Sequence, residues 1–295
     1  SVDKGVLLWR SMSQWIGGMG IIVLTVAILP ILGIGGMQLF VAEAPGITPD
    51  KFQPRIKETA KRLWIIYIGF TGLELIFLMM GGLTFFDALN HSLTTMATGG
   101  FSTKNTSIAH YDSPYVDFII MTFMFFAGTN FTMLYFGLHG KLKKVFKNQE
   151  FRSYGISCLA ISVFCALGIW LNGDENLTDS FRYGFFQVIS VITTTGFITQ
   201  DYTAWTPLLT MLFFFLMFVG ASAGSTSGGI KIIRHLILVK NSFLEFNRQI
   251  HPSAVLPLRL NGKGVNGEVT FQILAFVMLY LTIFALGSLA MALLG

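Results

Sequence analysis

Apolar positions along this chain gather into long runs instead of alternating with polar ones. Leu63–Leu83 carries Glu74 as its one charge, and Val116–His139, Leu208–Ile230 and Phe271–Leu294 are runs of the same character. At ~1.5 Å of rise per residue, each run reaches across the ~30 Å of bilayer hydrocarbon as a helix. Full-length apolar segments are expected near 12–34, 62–83, 115–139, 154–171, 207–239 and 269–294. Two shorter ones, 84–97 and 180–193, are marginal for a crossing and suit helices that dip into a membrane and return.

Each short segment leads into a polar stretch that contains glycine. Thr98-Gly99-Gly100-Phe101 follows the first, and Thr194-Thr195-Gly196-Phe197 follows the second, ninety-six positions later. On the same alignment Phe85 falls on Phe181 and Leu89 on Phe185. A unit of span, short helix, Thr-x-Gly-Phe, return and span therefore recurs over 62–139, with its loop at 84–104, and over 154–239, with its loop at 180–200. Residues 1–34 read as the closing span of a preceding copy and 269–295 as the opening span of a following one. Segments 35–61, 140–153 and 240–268 read as connecting linkers, with Pro45, Pro49 and Pro54 in the first. The expectation is an all-α polytopic membrane protein with pseudo-symmetric repeats, and a chain that is a piece of a longer one.

Composition agrees with this. The chain is 53% hydrophobic and 12% charged, about half the charge of an ordinary soluble domain. Its mean hydropathy is +0.65. The formal charge of +5 sits in short loops between spans, which argues against a nucleic-acid partner. Those loops also decide which segments cross. If 84–97 and 180–193 re-enter, the basic stretches Lys51–Arg62, Lys141–Arg152 and Lys231–Lys263 share one side; if they cross, the middle stretch lands opposite the others. Only the first arrangement obeys the positive-inside rule. The other face is then net acidic, with Asp3, Asp87, Asp112, Asp117, Asp174, Glu175, Asp179 and Asp201 against Lys4, Arg10, Lys104 and Arg182. An acidic mouth concentrates cations; such loops also simply complement a positive inner side.

Non-helical backbone at membrane depth is tolerated where it lines a wet cavity or is buried in protein. Thr-x-Gly-Phe loops placed there can turn carbonyl oxygens inward to replace the water shell of a cation. Glycine allows the alternating backbone conformations this needs. Phe101 and Phe197 are expected to pack outward as struts. The alternative is a pair of ordinary extracellular turns. A second irregularity is Gly220-Ala221-Ser222-Ala223-Gly224-Ser225-Thr226-Ser227-Gly228-Gly229, inside the apolar segment 207–239. Four glycines cannot hold a straight helix cheaply. The segment reads as an unwound, flexible loop with few apolar contacts, or as a small-residue helix face.

Other residues carry less. Thr129 and Asn130 are polar at depth and either line the cavity or pack. Glu74 is functional, or structural as a neutral or paired acid. His91 reads as a packing residue and Lys104 as the partner of Asp112 or another acid. Cys158 and Cys165 lie two helical turns apart, roughly 10 Å, too far for a disulfide within one helix. No serine-nucleophile, zinc-protease or paired intramembrane aspartate pattern is present, so the chain does not read as an enzyme.

The stretches LLWRSMSQWIGGMGIIVL, MATGGFST, VITTTGF and GASAGSTSGGIKIIR carry a family resemblance that covers essentially all 295 residues. The chain resembles the pore-forming subunit of the Trk/Ktr/HKT superfamily of potassium transporters, and most of all its bacterial Trk-type members. The resemblance implies four span–pore helix–span repeats around a pseudo-fourfold pore, of which this chain holds the end of the first to the start of the fourth. It implies K⁺ as the transported ion, in some members by symport with Na⁺, and a Na⁺-permeable relative stays open. K⁺ would bind at Thr98, Gly99, Gly100, Phe101, Thr194, Thr195, Gly196 and Phe197, with Gly220–Gly229 as an intramembrane gate. It also implies a homodimer in the lipid bilayer of the bacterial inner membrane and a TrkA-like cytoplasmic nucleotide-binding regulatory subunit.

Overall fold

The computed structural model describes residues 3–23, 56–173, 175–251 and 256–294. Residues 24–34 of the first expected span and the linker over 35–55, with its three prolines, lie outside the described residues. Helix α1 is Lys4–Val23, α2 is Ile56–Met80 and the short α3 is Phe85–Met96. Then follow α4 (Pro114–Ala127), α5 (Phe131–Leu138), α6 (Leu142–Lys147) and α7 (Gln149–Asn172). The second short helix is α8 (Leu177–Ile192), followed by α9 (Pro207–Leu216), α10 (Ile232–Ile250) and α11 (Gly267–Leu294).

The start signals are local. Thr84 accepts the Asp87 amide at 3.2 Å to open α3, and Ser113 caps α4, which has Pro114 in its first turn. Both arrangements satisfy or remove amides that a helix leaves unpaired at its start. Asn148 caps α7, and Gly173, in a left-handed conformation, ends it.

Residues 61–80, 149–172 and 267–293 are long and apolar enough to cross a membrane, and α4 with α5 would make a fourth span. Large apolar side chains such as Met80, Leu171 and Phe271 are exposed on these helices, as a lipid solvent permits. Small residues let helices approach closely. A Cβ on Gly184 would lie 2.9 Å from the Ala166 amide nitrogen, so α8 rests directly on α7.

The expected course of three segments needs correcting. The segment 115–139 is not one straight helix: it stops at Ala127, restarts at Phe131 and bends by 108°. Helix α7 begins at Gln149 rather than 154, and α8 at Leu177 rather than 180. The fold also contains two minimal strand pairs: β1 (Val219–Gly220) runs parallel to β2 (Ile230–Lys231), and β3 (Arg259–Leu260) antiparallel to β4 (Lys263–Gly264). The first pair closes the ends of the Gly-Ser segment that interrupts 207–239.

Candidate functional site: two matched turns and the segment beneath them

Helices α3 and α8 each end in the same backbone figure. Thr98 has φ 50° and Gly100 has φ 66°; their counterparts Thr194 and Gly196 have φ 56° and 88°. A β-branched residue at positive φ is an outlier, and strain of this kind persists only where the surroundings over-determine it. The surroundings here are specific. Thr98 N donates to Thr95 O and Gly99 N to Thr94 O; Thr194 N donates to Val191 O and Thr195 N to Ser190 O. The Thr94 hydroxyl then donates to Phe101 O at 3.0 Å, and Ser190 Oγ to Phe197 O at 2.7 Å. Thr94 and Ser190 also stand ninety-six apart.

The two turns abut. A Cβ on Gly100 would fall on the Thr195 carbonyl oxygen, so that glycine is required by both space and φ. A Cβ on Gly196 would meet nothing within 4 Å, leaving φ as its constraint. Beyond the turns, Ala109 N donates to Ile198 O at 3.0 Å and Ile198 N to Ser107 Oγ at 3.2 Å, which joins the two returning segments. Phe197 is fully buried, with its ring centroid 5.8 Å from that of His91. Phe101 does not pack in the same way. It is 48% exposed, with the Arg10 guanidinium 4.9 Å from its ring centre.

Residues 220–229 lie directly against both turns. Thr98 Oγ1 donates to Thr226 O at 2.9 Å, and Gly228 N donates to Thr194 Oγ1 at 2.6 Å. The break in the preceding helix pair supplies further anchors. Ser222 N donates to Gly128 O, Phe131 N to Gly224 O, and Asn130 Nδ2 to Ala223 O at 2.6 Å. Thr226 Oγ1 reaches Met96 O and Ala127 O. Asn130 also caps α5 by accepting the Thr132 amide, so the bend and the docking of the segment share one side chain. Gly128 is required there: its Cβ would lie 2.6 Å from Tyr154 Oη and 2.8 Å from Thr193 Cγ2.

The composition of the segment suggested a loose loop, and this is corrected. Of residues 220–229 only Gly224, Gly228 and Gly229 are exposed. Ala221 joins the core of Tyr154, Leu209 and Phe213, and Ala223 that of Ile233 and Ile237. It is irregular because its backbone groups bond across to other segments, which is how a buried chain without helix meets its obligations.

Sequence reasoning passed over the braces around the turns. Asp87 accepts Thr103 Oγ1 at 2.5 Å and pairs with Lys104 at 3.2 Å, which makes it the partner Lys104 takes. Burial alone would raise its carboxyl, but Thr103, Lys104 and Thr84 outweigh that and hold it below its ordinary value. Burial pushes His91 down to about 4. As a neutral ring it donates from Nδ1 to Asp87 O at 2.7 Å, so Nε2 accepts from the Ser102 hydroxyl at 2.8 Å. Arg182 binds Asp117 at 2.6 Å and Asp112 at 3.0 Å. Glu150, fully buried, accepts Ala223 N at 2.6 Å. An acid in the first turn of an apolar segment was the available signal for Asp117 and Glu150. Glu74 is buried beside Thr95, and among the described residues no lysine or arginine pairs with it. Cys158 and Cys165 are buried free thiols.

A family model described as TrkH, cation transport protein, matches residues 1–155 and 159–295. The chain belongs to the TrkH family. It is 42% identical over 294 residues to the Trk system potassium uptake protein TrkH of Salmonella typhimurium, covering 98% of this chain and 61% of that protein. It is 37% identical over 283 residues to TrkG of Escherichia coli, covering 95% and 58%. The crystal structure of the potassium transporter TrkH from Vibrio parahaemolyticus superposes with a TM-score of 0.86 at 36% identity, covering 98% of this chain and 60% of that one. The chain thus spans about three fifths of the length of these TrkH-family relatives. Its relatives are named as transport proteins, not enzymes, and the fold is that of a helical, multi-pass membrane transporter.

Proposed function

We propose that this chain forms the central part of a K⁺ uptake pore in a bacterial inner membrane. Residues Thr98–Phe101 and Thr194–Phe197 are two of the filter segments, and Gly220–Gly229 obstructs the path behind them. The observation that carries this reading is the pair of matched turns, each with left-handed Thr and Gly, abutting at Gly100 and Thr195 and both bonded to one irregular segment. Alternating left-handed and ordinary residues let successive carbonyls face one side, which suits a dehydrated cation. The names of the relatives support K⁺ as cargo. Two further filter segments, a homodimer and a cytoplasmic nucleotide-binding partner complete the proposed assembly. The exposed lysines Lys141, Lys143, Lys144 and Lys147 around α6 offer that partner a basic surface.

The test is ion flux through the complete transporter in liposomes. Wild type should pass K⁺ in preference to Na⁺. Deleting Ala221–Ser227 should raise flux while keeping that preference. The same deletion should lower the thermal midpoint, because it strips partners from Gly128, Thr98 and Glu150. A folded deletion protein with unchanged or lower flux would place the obstruction elsewhere, and equal K⁺ and Na⁺ flux in wild type would sink the K⁺ filter.

A further inference from the structure

We propose that Glu150 is the positioning residue that holds the Gly-Ser segment in place beneath the two turns. The proposal rests on the reading of 220–229 as the obstruction.

Glu150 follows a run of four exposed lysines, Lys141, Lys143, Lys144 and Lys147, yet its carboxylate turns away from solvent. It is 2% exposed, and Oε1 accepts the Ala223 amide at 2.6 Å. A carboxylate accepting a backbone N–H in a dry setting makes one of the stronger classes of hydrogen bond. Burying it for a purely local purpose would be costly. Lys231 is close enough to act on it electrostatically, and the Lys231 ammonium donates to Ser227 O and reaches Ser227 Oγ at 3.3 Å. One acid and one base thus grip the segment four residues apart, at Ala223 and Ser227.

The grip is held from outside the segment. Gln149 N donates to Asn261 Oδ1 at 2.7 Å in the β3–β4 turn. Lys240 of α10 donates to Gln149 Oε1 at 2.6 Å and to Arg259 O at 3.2 Å. Asn148 caps α7 through the Phe151 amide. One turn further on, Tyr154 stacks on Phe125 at 4.8 Å and donates to its carbonyl at 3.1 Å, which fixes the same face of α7 against the end of α4. Glu150 is therefore preorganised by residues that do not touch the turns. Its side chain ties the segment to the joint where α6, α7, α10 and β3–β4 meet. A displacement of α6 needs to travel only three residues to reach it.

The experiment uses the complete transporter in liposomes, with Ser225→Cys as a reporter of the buried segment. We would measure K⁺ flux, the K⁺/Na⁺ preference, and the rate at which a methanethiosulfonate reagent modifies the cysteine. Glu150→Ala should raise both flux and modification rate by about tenfold, the effect of losing one charge-assisted hydrogen bond. Ion preference should stay unchanged because the turns are intact. Glu150→Gln keeps an accepting oxygen without the charge and should give a smaller rise in both; it also carries the test if the alanine variant does not fold. Wild-type flux and labelling in either folded variant would overturn the proposal. Faster labelling with unchanged flux would support the positioning role while removing the reading of the segment as an obstruction.

Discussion

The turn after α3 and the turn after α8 share a backbone but not a support. Both have left-handed Thr and Gly two residues apart, and in both a hydroxyl four residues before that Thr bonds the carbonyl of the following Phe. Around them almost everything differs. Asp87 braces the first turn inside its own loop, through Thr103 and Lys104. The aligned position in the second is Tyr183, and its brace is Arg182, which reaches across to Asp112 and Asp117 before and within α4. The closing helix pair bends by 108° after the first turn, whereas after the second the helix is interrupted from 217 to 231. What is held constant is the dihedral figure and its one side-chain bond. The means of holding it are free to diverge, because any bond of suitable length and strength serves.

The glycines test the comparison most severely. Gly100→Ala should abolish selective K⁺ uptake, because its Cβ would fall on the backbone of the neighbouring turn. Gly196→Ala meets open space and costs only the left-handed conformation, ~1–2 kcal/mol. Uptake and thermal midpoints of the two purified variants decide this. Equal damage would mean that another part of the complete protein lies against Gly196.

The braces come next. Asp87→Asn should cost about 2 kcal/mol, the scale of a hydrogen bond to a charged group, and should loosen the first turn. The pH dependence has a definite sign. Because the folded Asp87 carboxyl is held low, its stabilisation is fully present above the unfolded value and is lost as pH falls through the lowered one. Unfolding midpoints followed from neutral to acid pH should drop in wild type and drop less in Asp87→Asn. Parallel curves would show that the lysine pair contributes nothing.

The smallest effect concerns the shared bond. The Thr94 proton is divided among Asn90 O, His91 O and Phe101 O, while Ser190 donates to Phe197 O. Ser190→Ala should therefore cost about 1 kcal/mol, and Thr94→Val less. Matching losses in thermal midpoint would show that the Thr94 proton belongs to Phe101 alone.

Much of this architecture is legible in the sequence because lipid allows few solutions. Runs such as Phe271–Leu294 announce helices, and the short apolar segments ending at Thr98 and Thr194 announce α3 and α8 through length alone. The repeat of Thr-x-Gly-Phe located both turns, and glycine content located the break in 207–239. The 108° bend at Thr129-Asn130 was not legible. Two polar residues in an apolar run fit packing as well as a break, and the choice is made by Ala223 and Gly224, which are distant in sequence. The same holds for the tightness of 220–229. Composition reports that a segment cannot stay helical, but its bonding partners decide whether it is loose. Phe101 and Phe197 occupy one motif position, and their unequal burial comes from neighbours that the motif does not contain.

The bonding of 220–229 has a consequence for exchange with solvent deuterium. The amides of Ser222, Ala223, Thr226 and Gly228 donate to Gly128 O, Glu150 Oε1, Ala127 O and Thr194 Oγ1, four acceptors on three different segments. None of these bonds can be lost by fraying at a helix end, since none belongs to a helix ladder. Opening the segment breaks them together, so the four amides should behave as one cooperative unit with a shared opening free energy. A glycine- and serine-rich stretch would ordinarily exchange its protons quickly and independently. Here it should carry the exchange signature of a core element, and the common rate of those four amides should read out how often the segment leaves its place beneath the turns.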